Sequence, residues 1–298
     1  MKSNKGLLVP PRMIMHELFG YALALLVGVS LGMIGSGGSI LTVPILVYVM
    51  GISPTLATAY SLFIVGTTAL AGVIMHGIQK LIHVRAALVF LLPSFITVYS
   101  VRRFGMPAIP EVIAEFGSYI ISKNIAIMLV FSALMLAASI SMIRSARSTR
   151  NHSNCNNASD EDMSGINFHL TPSTYPIILA EGTVIGAITG AVGAGGGFLI
   201  IPALVLLTKL PMRLAVGTSL LVIAANSLIG FLGDVQVTHS MNWQLLLTFT
   251  GTALLGMLGG LALSRRVAAL QLRILFGWFL VFMSLYILIK ELLLPSIL

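Results

Sequence analysis

Among residues able to bind or react, two short glycine runs stand out: Gly35-Ser36-Gly37-Gly38-Ser39 and Gly193-Ala194-Gly195-Gly196-Gly197. Glycine brings no side-chain chemistry, but it admits φ > 0 and lets bare backbone N–H groups come close to a ligand. Pro44 and Pro202 follow the two runs, each lacking an N–H and disrupting a regular helix interior. The combination predicts a helix, a sharp turn and a second short helix. The first N–H groups of the short helices, near Ser39 and Gly197, would then point at the turn with the positive end of a helix dipole. That is an anion-binding arrangement. No acidic residue lies near either run, which argues against a dedicated alkali-metal site.

Polar side chains further along could complete such a site. The predicted binding set is Gly37, Gly38, Ser39, Thr42 and Ser61 from one part of the chain, with Gly195, Gly196, Gly197, Ser219 and Asn226 from the other. Thr67 and Thr68 lie close to the level of Asn226. A lone Ser or Thr in an apolar helix often bonds its own preceding turn instead, so each of these has a structural alternative. His76 and Asp234 are the candidates for taking up protons in a coupling role, although at a helix end both could simply be solvated.

Other chemistries fare worse. An intramembrane serine protease needs Gly-x-Ser-Gly and a facing histidine, but Ser36 follows Gly35 directly. A phosphate-binding loop fails because no lysine follows the glycines. His152, Cys155, Asp160 and His169 match no zinc spacing, and no cofactor or metal is expected. Cys155 is the only cysteine, so no intrachain disulfide exists.

The elements that must position these residues are membrane helices. Charged residues are 9% of the 298, against about 25% in ordinary globular chains, and mean hydropathy is +1.01. Leu18 to Gln79 contains no Asp, Glu, Lys or Arg, and shorter charge-free runs follow. A bilayer core needs about 20 apolar residues per helix, and charges at its centre are costly. The fold class is therefore all-α and polytopic, and the bilayer is the first partner. Net charge is +8, but the Lys and Arg residues sit at run boundaries facing headgroups, so nucleic acid is not a partner. Arg85 and Arg213, at helix starts, either draw anions inward or mark headgroup level.

A single fixed offset superposes two long segments without a gap. Gly28, Gly32, Gly35, Gly37 and Gly38 fall on Gly186, Gly190, Gly193, Gly195 and Gly196, and Pro44 falls on Pro202. Ser61 meets Ser219, and His76 meets Asp234. Each repeat reads as four hydrophobic elements: about 18–50, 54–79, 84–101 and 122–143, then 176–208, 212–233, 241–263 and 271–293. The domains are then a tail 1–17, repeat one 18–143, a polar linker 144–175 and repeat two 176–298. Residues 102–122, with Pro107 and Pro110, read as interfacial. Gly28, Gly32, Gly186 and Gly190 have four-residue spacing and read as helix-packing positions. Paired Gly/Pro-interrupted segments are the sequence pointer to a transporter's binding site.

The stretch from Gly28 to Pro44, its echo Gly186–Pro202 and the following Gly217-Thr218-Ser219 resemble the signature of the TauE/SafE sulfite-exporter family. The resemblance covers both repeats. It implies a multi-pass permease of a bacterial inner membrane, not an enzyme, for sulfite or small organosulfur anions such as sulfoacetate; a homodimer is compatible with it. Gly197 stands where the first repeat has Ser39, so the two turns should differ chemically. A competing function is an anion-binding sensor or channel without coupled transport. Topology has two solutions: if each broken element crosses the membrane the halves are parallel, and if it re-enters as a hairpin they are inverted. Facing half-helices favour inversion.

Overall fold

The computed structural model describes residues 11–34, 37–78, 82–116, 119–152, 175–197, 199–200, 212–236, 241–264 and 269–293. It is helical apart from one short hairpin. Helix α1 (Pro11–Ile34) leads to a 3-10 segment, Gly37–Leu41, and then α2 (Thr42–Tyr48). Next come α3 (Pro54–Ile78) and α4 (Val84–Ser100). A π-helical turn, Val101–Gly105, and the single turn α5 (Met106–Ala108) continue from α4. The antiparallel strands β1 (Val112–Phe116) and β2 (Tyr119–Ser122) precede α6 (Lys123–His152). The remaining helices are α7 (Tyr175–Val192), α8 (Met212–Val235), α9 (Trp243–Ser264) and α10 (Ala269–Leu293).

Six of these helices, α3, α4, α6, α8, α9 and α10, hold spans long and apolar enough to cross a membrane. Three shorter apolar stretches, Phe19–Met33, Gly38–Tyr48 and Ile178–Val192, belong to the two broken elements. The protein is an integral, multi-pass membrane protein. Its centre is α3 against α8, whose spans are 61% and 67% buried, against 28% for α4, α6 and α10.

The first broken element is a hairpin. Gly38 lies against Ser30 and the backbone of Val27 and Leu31, while Met50 lies against Gly20. Residues after the turn thus run back along α1, and the chain returns to the level at which it started.

Glycines determine which helices meet. A methyl group on Gly28 would strike the carbonyl of Ala253, and one on Gly32 the carbonyl of Met257. Reciprocally, Gly256 and Gly260 of α9 abut the carbonyls of Leu25 and Val29 on α1. On the other side Gly182, Gly186 and Gly190 of α7 meet Pro93, Ser94 and Val101 on the α4 side. Both pairs are parallel. The central pair is antiparallel, with Gly66 beside Leu228, Gly72 beside Leu220 and Gly230 beside Leu62. Without an aqueous driving force between helices, this close backbone approach is what holds membrane helices together.

One expected boundary moves. The polypeptide after Ser100 stays largely at the surface, with Phe104, Gly105 and residues 107–113 exposed, but its helix continues through the π-turn to Ala108 and carries Arg102 inward to 1% exposure. The wider π-turn shifts the side-chain register and lets Arg102 turn inward, while Arg103 stays half-buried over the Phe104 ring. In addition α6 runs on to His152. Cys155, Asp160 and His169 lie outside the described residues.

Candidate functional site

The second glycine run is the more sharply built. Helix α7 ends at Val192, where Gly193 N still donates to Thr189 O at 2.9 Å. Gly193, Gly195 and Gly196 then take φ of 72°, 69° and 64°. These left-handed values cost L-residues roughly 1–2 kcal/mol each, so three of them in four positions require glycine. Space demands it too. A methyl at Gly193 would sit 2.6 Å from both Arg102 Nη2 and Thr58 O, and one at Gly195 2.6 Å from Val65 Cγ1 and 3.1 Å from Ser227 Oγ. One at Gly196 would collide with Thr189 Oγ1. Helix resumes at once, with Leu199 N and Ile200 N both donating to Gly196 O. This is a broken helix inside the protein.

What surrounds the turn is polar and under-satisfied. Arg102 donates from Nη1 to Asp234 Oδ2 at 3.0 Å and to Thr58 Oγ1 at 3.1 Å. Its Nε and Nη2 have no partner among the described residues. Neither have the hydroxyls of Ser61, Thr189 and Ser227, all buried. Thr189 and Ser227 touch the turn directly. Ser61 lies on the α3 face between Thr58 and Val65, the two α3 residues that the turn contacts. A buried donor left unmade costs about 1–3 kcal/mol, so native structures seldom gather several in one place without a use.

The sequence-predicted residues divide accordingly. Gly195, Gly196 and Gly197 form the second turn, and Ser61 is buried on α3 between two residues that the turn contacts. In the first repeat Gly37 opens the 3-10 segment, Gly38 packs on α1, and Ser39 and Thr42 are fully buried on the return arm. The Thr42 hydroxyl also lacks a partner among the described residues. Ser219 is buried but donates to Val216 O at 2.8 Å, the local alternative for such a residue. Asn226 is buried and paired with Ser94 in both directions, its Nδ2 donating to Ser94 Oγ at 3.0 Å. It joins α8 to α4. Thr67 and Thr68 bond their own helix. Asp234 sits in the Arg102 pair rather than in solvent, while the side chains of His76, Arg85 and Arg213, and the whole of Pro202, lie outside the described residues.

Sequence reasoning missed Arg102, Thr189, Ser227 and Ser94. One signal pointed to the first: Asp234 is a lone acid between two long charge-free runs, and a buried acid needs a cation. Arg102 and Arg103 read equally well as headgroup residues, and only the fold separates them.

Chemically the turn offers donors. A guanidinium and three hydroxyls with donors unpartnered among the described residues suit a small oxyanion, and the nearby carboxylate is already held by Arg102. Among the described residues no group of His, Cys, Asp and Glu could hold a metal ion.

Comparison with known proteins agrees with this architecture. The family model described as "Sulfite exporter TauE/SafE" matches residues 21–287. A probable membrane transporter protein of Xylella fastidiosa strain 9a5c is 29% identical over 266 residues, covering 88% of this chain and 91% of that protein. The probable membrane transporter protein YunE of Bacillus subtilis is 26% identical over 260 residues, covering 82% and 87%. No solved structure matches the chain significantly. A match over nearly the whole chain, on a fold of six spans and two glycine-broken elements, has one reading: the chain belongs to the TauE/SafE sulfite exporter family.

Proposed function

We propose that this membrane transporter is a permease for small sulfur-containing oxyanions, sulfite or short organosulfonates such as sulfoacetate. The anion binds at the glycine turns and reaches the two faces alternately. The observation that carries the reading is the second turn, where buried donors without partners among the described residues lie beside backbone that only glycine can form. A sulfonate or sulfite oxygen accepts several hydrogen bonds at once, and a buried site with charge-assisted donors favours such an ion.

Alternating access needs two related halves, and the helix pairs support inverted repeats. The first element of each half packs parallel to the third element of the other, α1 on α9 and α7 on α4. The second elements pair with each other, as do the fourth, α3 with α8 and α6 with α10. Such reciprocity is what a pseudo-twofold axis would produce. The return arm after Gly37 adds support, since a hairpin followed by α3, α4 and α6 gives each half an odd number of net crossings.

Sulfite or sulfoacetate should raise the melting temperature of the purified protein, and sodium, potassium and amines should not. The shift should follow mass action, about 2.7 kcal/mol at a ligand concentration of 100 times Kd. Liposomes holding the protein should move the same anions, which separates a permease from a sensor. Stabilisation by cations with no anion response would overturn the anion site.

A further inference from the structure

The Arg102–Asp234 pair is more than a structural bridge. Arg102 uses one of its three guanidinium nitrogens, while Nη2 faces the turn at Gly193 and neither it nor Nε has a partner among the described residues. Gly193 approaches so closely that no other residue would fit between them. Asp234 contributes a single oxygen to Arg102. A buried pair built for stability would be bidentate and would satisfy its remaining donors. This one is half-made.

We infer that Arg102 recognises the transported oxyanion and that Asp234 is its exchangeable counter-ion, protonated when the anion takes its place. The inference rests on the anion-permease reading above and adds the coupling ion to it. The balance is simple. Without substrate the guanidinium and the carboxylate cancel. When a monoanion enters, Arg102 Nη1 releases Asp234 Oδ2 and donates to the anion together with Nε and Nη2. The freed carboxylate takes one proton from solvent and becomes a neutral acid. Guanidinium and anion then cancel, and the buried charge is zero in both states. A carboxylate left buried and unpaired would be far more costly, so anion and proton enter together.

The surroundings suit this exchange. Asp234 lies one residue from the end of α8, close to a route for protons, and Gly233 beside it contacts the Arg102 Cβ. Charged or titratable groups on the packed elements are few. On the α4 side Arg103 lies over the Phe104 ring, and Tyr99 shares a hydrogen bond with Gln236. From α6, Lys123 donates to Met106 O. Tyr60 on α3 accepts from Asn242 N, while His76 on α3 and Glu181 on α7 lie about three turns or more away along their helices. Among these no second carboxylate is placed to take over from Asp234. At the equivalent position the first half has His76, and Gly260 stands where symmetry would require a second Arg102. The exchange therefore belongs to one turn only.

The test uses full-length purified protein with methanesulfonate as the probe, a short sulfonate that is a monoanion at both about pH 5.5 and about pH 8. Calorimetry in buffers of different ionisation enthalpy should show uptake of about one proton per anion bound. Asp234→Asn should still bind, with no proton uptake and no difference between the two pH values. In liposomes it should exchange anion for anion but no longer accumulate it on a proton gradient. Because Asp234→Asn strands a buried guanidinium, a second variant guards against misfolding. Arg102→Gln with Asp234→Asn keeps a neutral hydrogen-bonded pair and should fold, yet bind at least about tenfold more weakly. Binding by wild type without proton uptake, or near-wild-type binding by the double variant, overturns the exchange and leaves the permease reading standing. A wild-type protein that binds neither methanesulfonate nor sulfite removes both.

Discussion

At the residue scale, the requirement for glycine has two separable parts, backbone angle and open space. Gly51 and Gly196 have almost the same φ, 68° and 64°, but a methyl at Gly51 meets nothing within 4 Å, while one at Gly196 collides with Thr189. Gly51→Ala should therefore lose only about 1–2 kcal/mol of stability and keep anion affinity. Gly196→Ala should lose affinity as well, because Thr189 and the turn must both move; melting curves with and without sulfite separate the two effects. Asn226 makes a different case. Its amide is engaged with Ser94, so Asn226→Ala should lower stability by about 1 kcal/mol with affinity retained, and a double-mutant cycle with Ser94→Ala should show strong coupling. A tenfold loss of affinity at unchanged stability would instead place the amide on the anion. The second glycine turn was legible in the sequence because three close glycines after an apolar run mark backbone that other residues do not tolerate. The local bonds of Ser219 and the pairing of Asn226 were not, since hydroxyl and amide partners are chosen by neighbours far away in sequence.

At the element scale, two adjacent glycines on α9 show how sharply the packing is specified. Gly260 faces α1, where an added methyl would strike the Val29 carbonyl, whereas Gly259 has nothing within 4 Å. Gly260→Ala should cost about 1–3 kcal/mol through overpacking. Gly259→Ala should be neutral or slightly stabilising, since alanine is the better helix former. Equal melting temperatures for the two variants would mean that α1 and α9 are not in contact as described. The lengths of these elements were readable, with α3, α8, α9 and α10 starting and ending within about two residues of expectation, because charges and prolines punctuate an otherwise apolar chain. The continuation of α4 past Ser100 was not readable. A pair of arginines followed by Pro107 signals the end of a span, and only the π-turn, a matter of backbone register, brings Arg102 inside. The strands β1 and β2 were missed for a similar reason, being short and set among residues that read as interfacial.

At the scale of the whole molecule, the hairpin in the first half bears on the choice between parallel and inverted halves. If residues 37–50 return beside α1, the N-terminal tail and the start of α3 share one face of the membrane. Helices α3, α4 and α6 then make three crossings, and the linker emerges on the opposite face. If the second half, with α8, α9 and α10, repeats this in reverse, both termini share a face. If the broken elements crossed outright, tail and linker would instead lie on one side. The chain supplies its own probe, since Cys155 in the linker is the only cysteine. A membrane-impermeant maleimide should label Cys155 from one side of sealed vesicles. In a Cys155→Ser background, a cysteine introduced by Ser3→Cys should be labelled only from the other. Labelling of both positions from the same side would make the halves parallel, and the reciprocal packing of α1 on α9 and α7 on α4 would then need another explanation. Opposite labelling would leave the two glycine-broken elements entering from opposite faces. The Arg102 site, at the glycine turn after α7 and beside the end of α8, would then lie nearer the face that carries both termini.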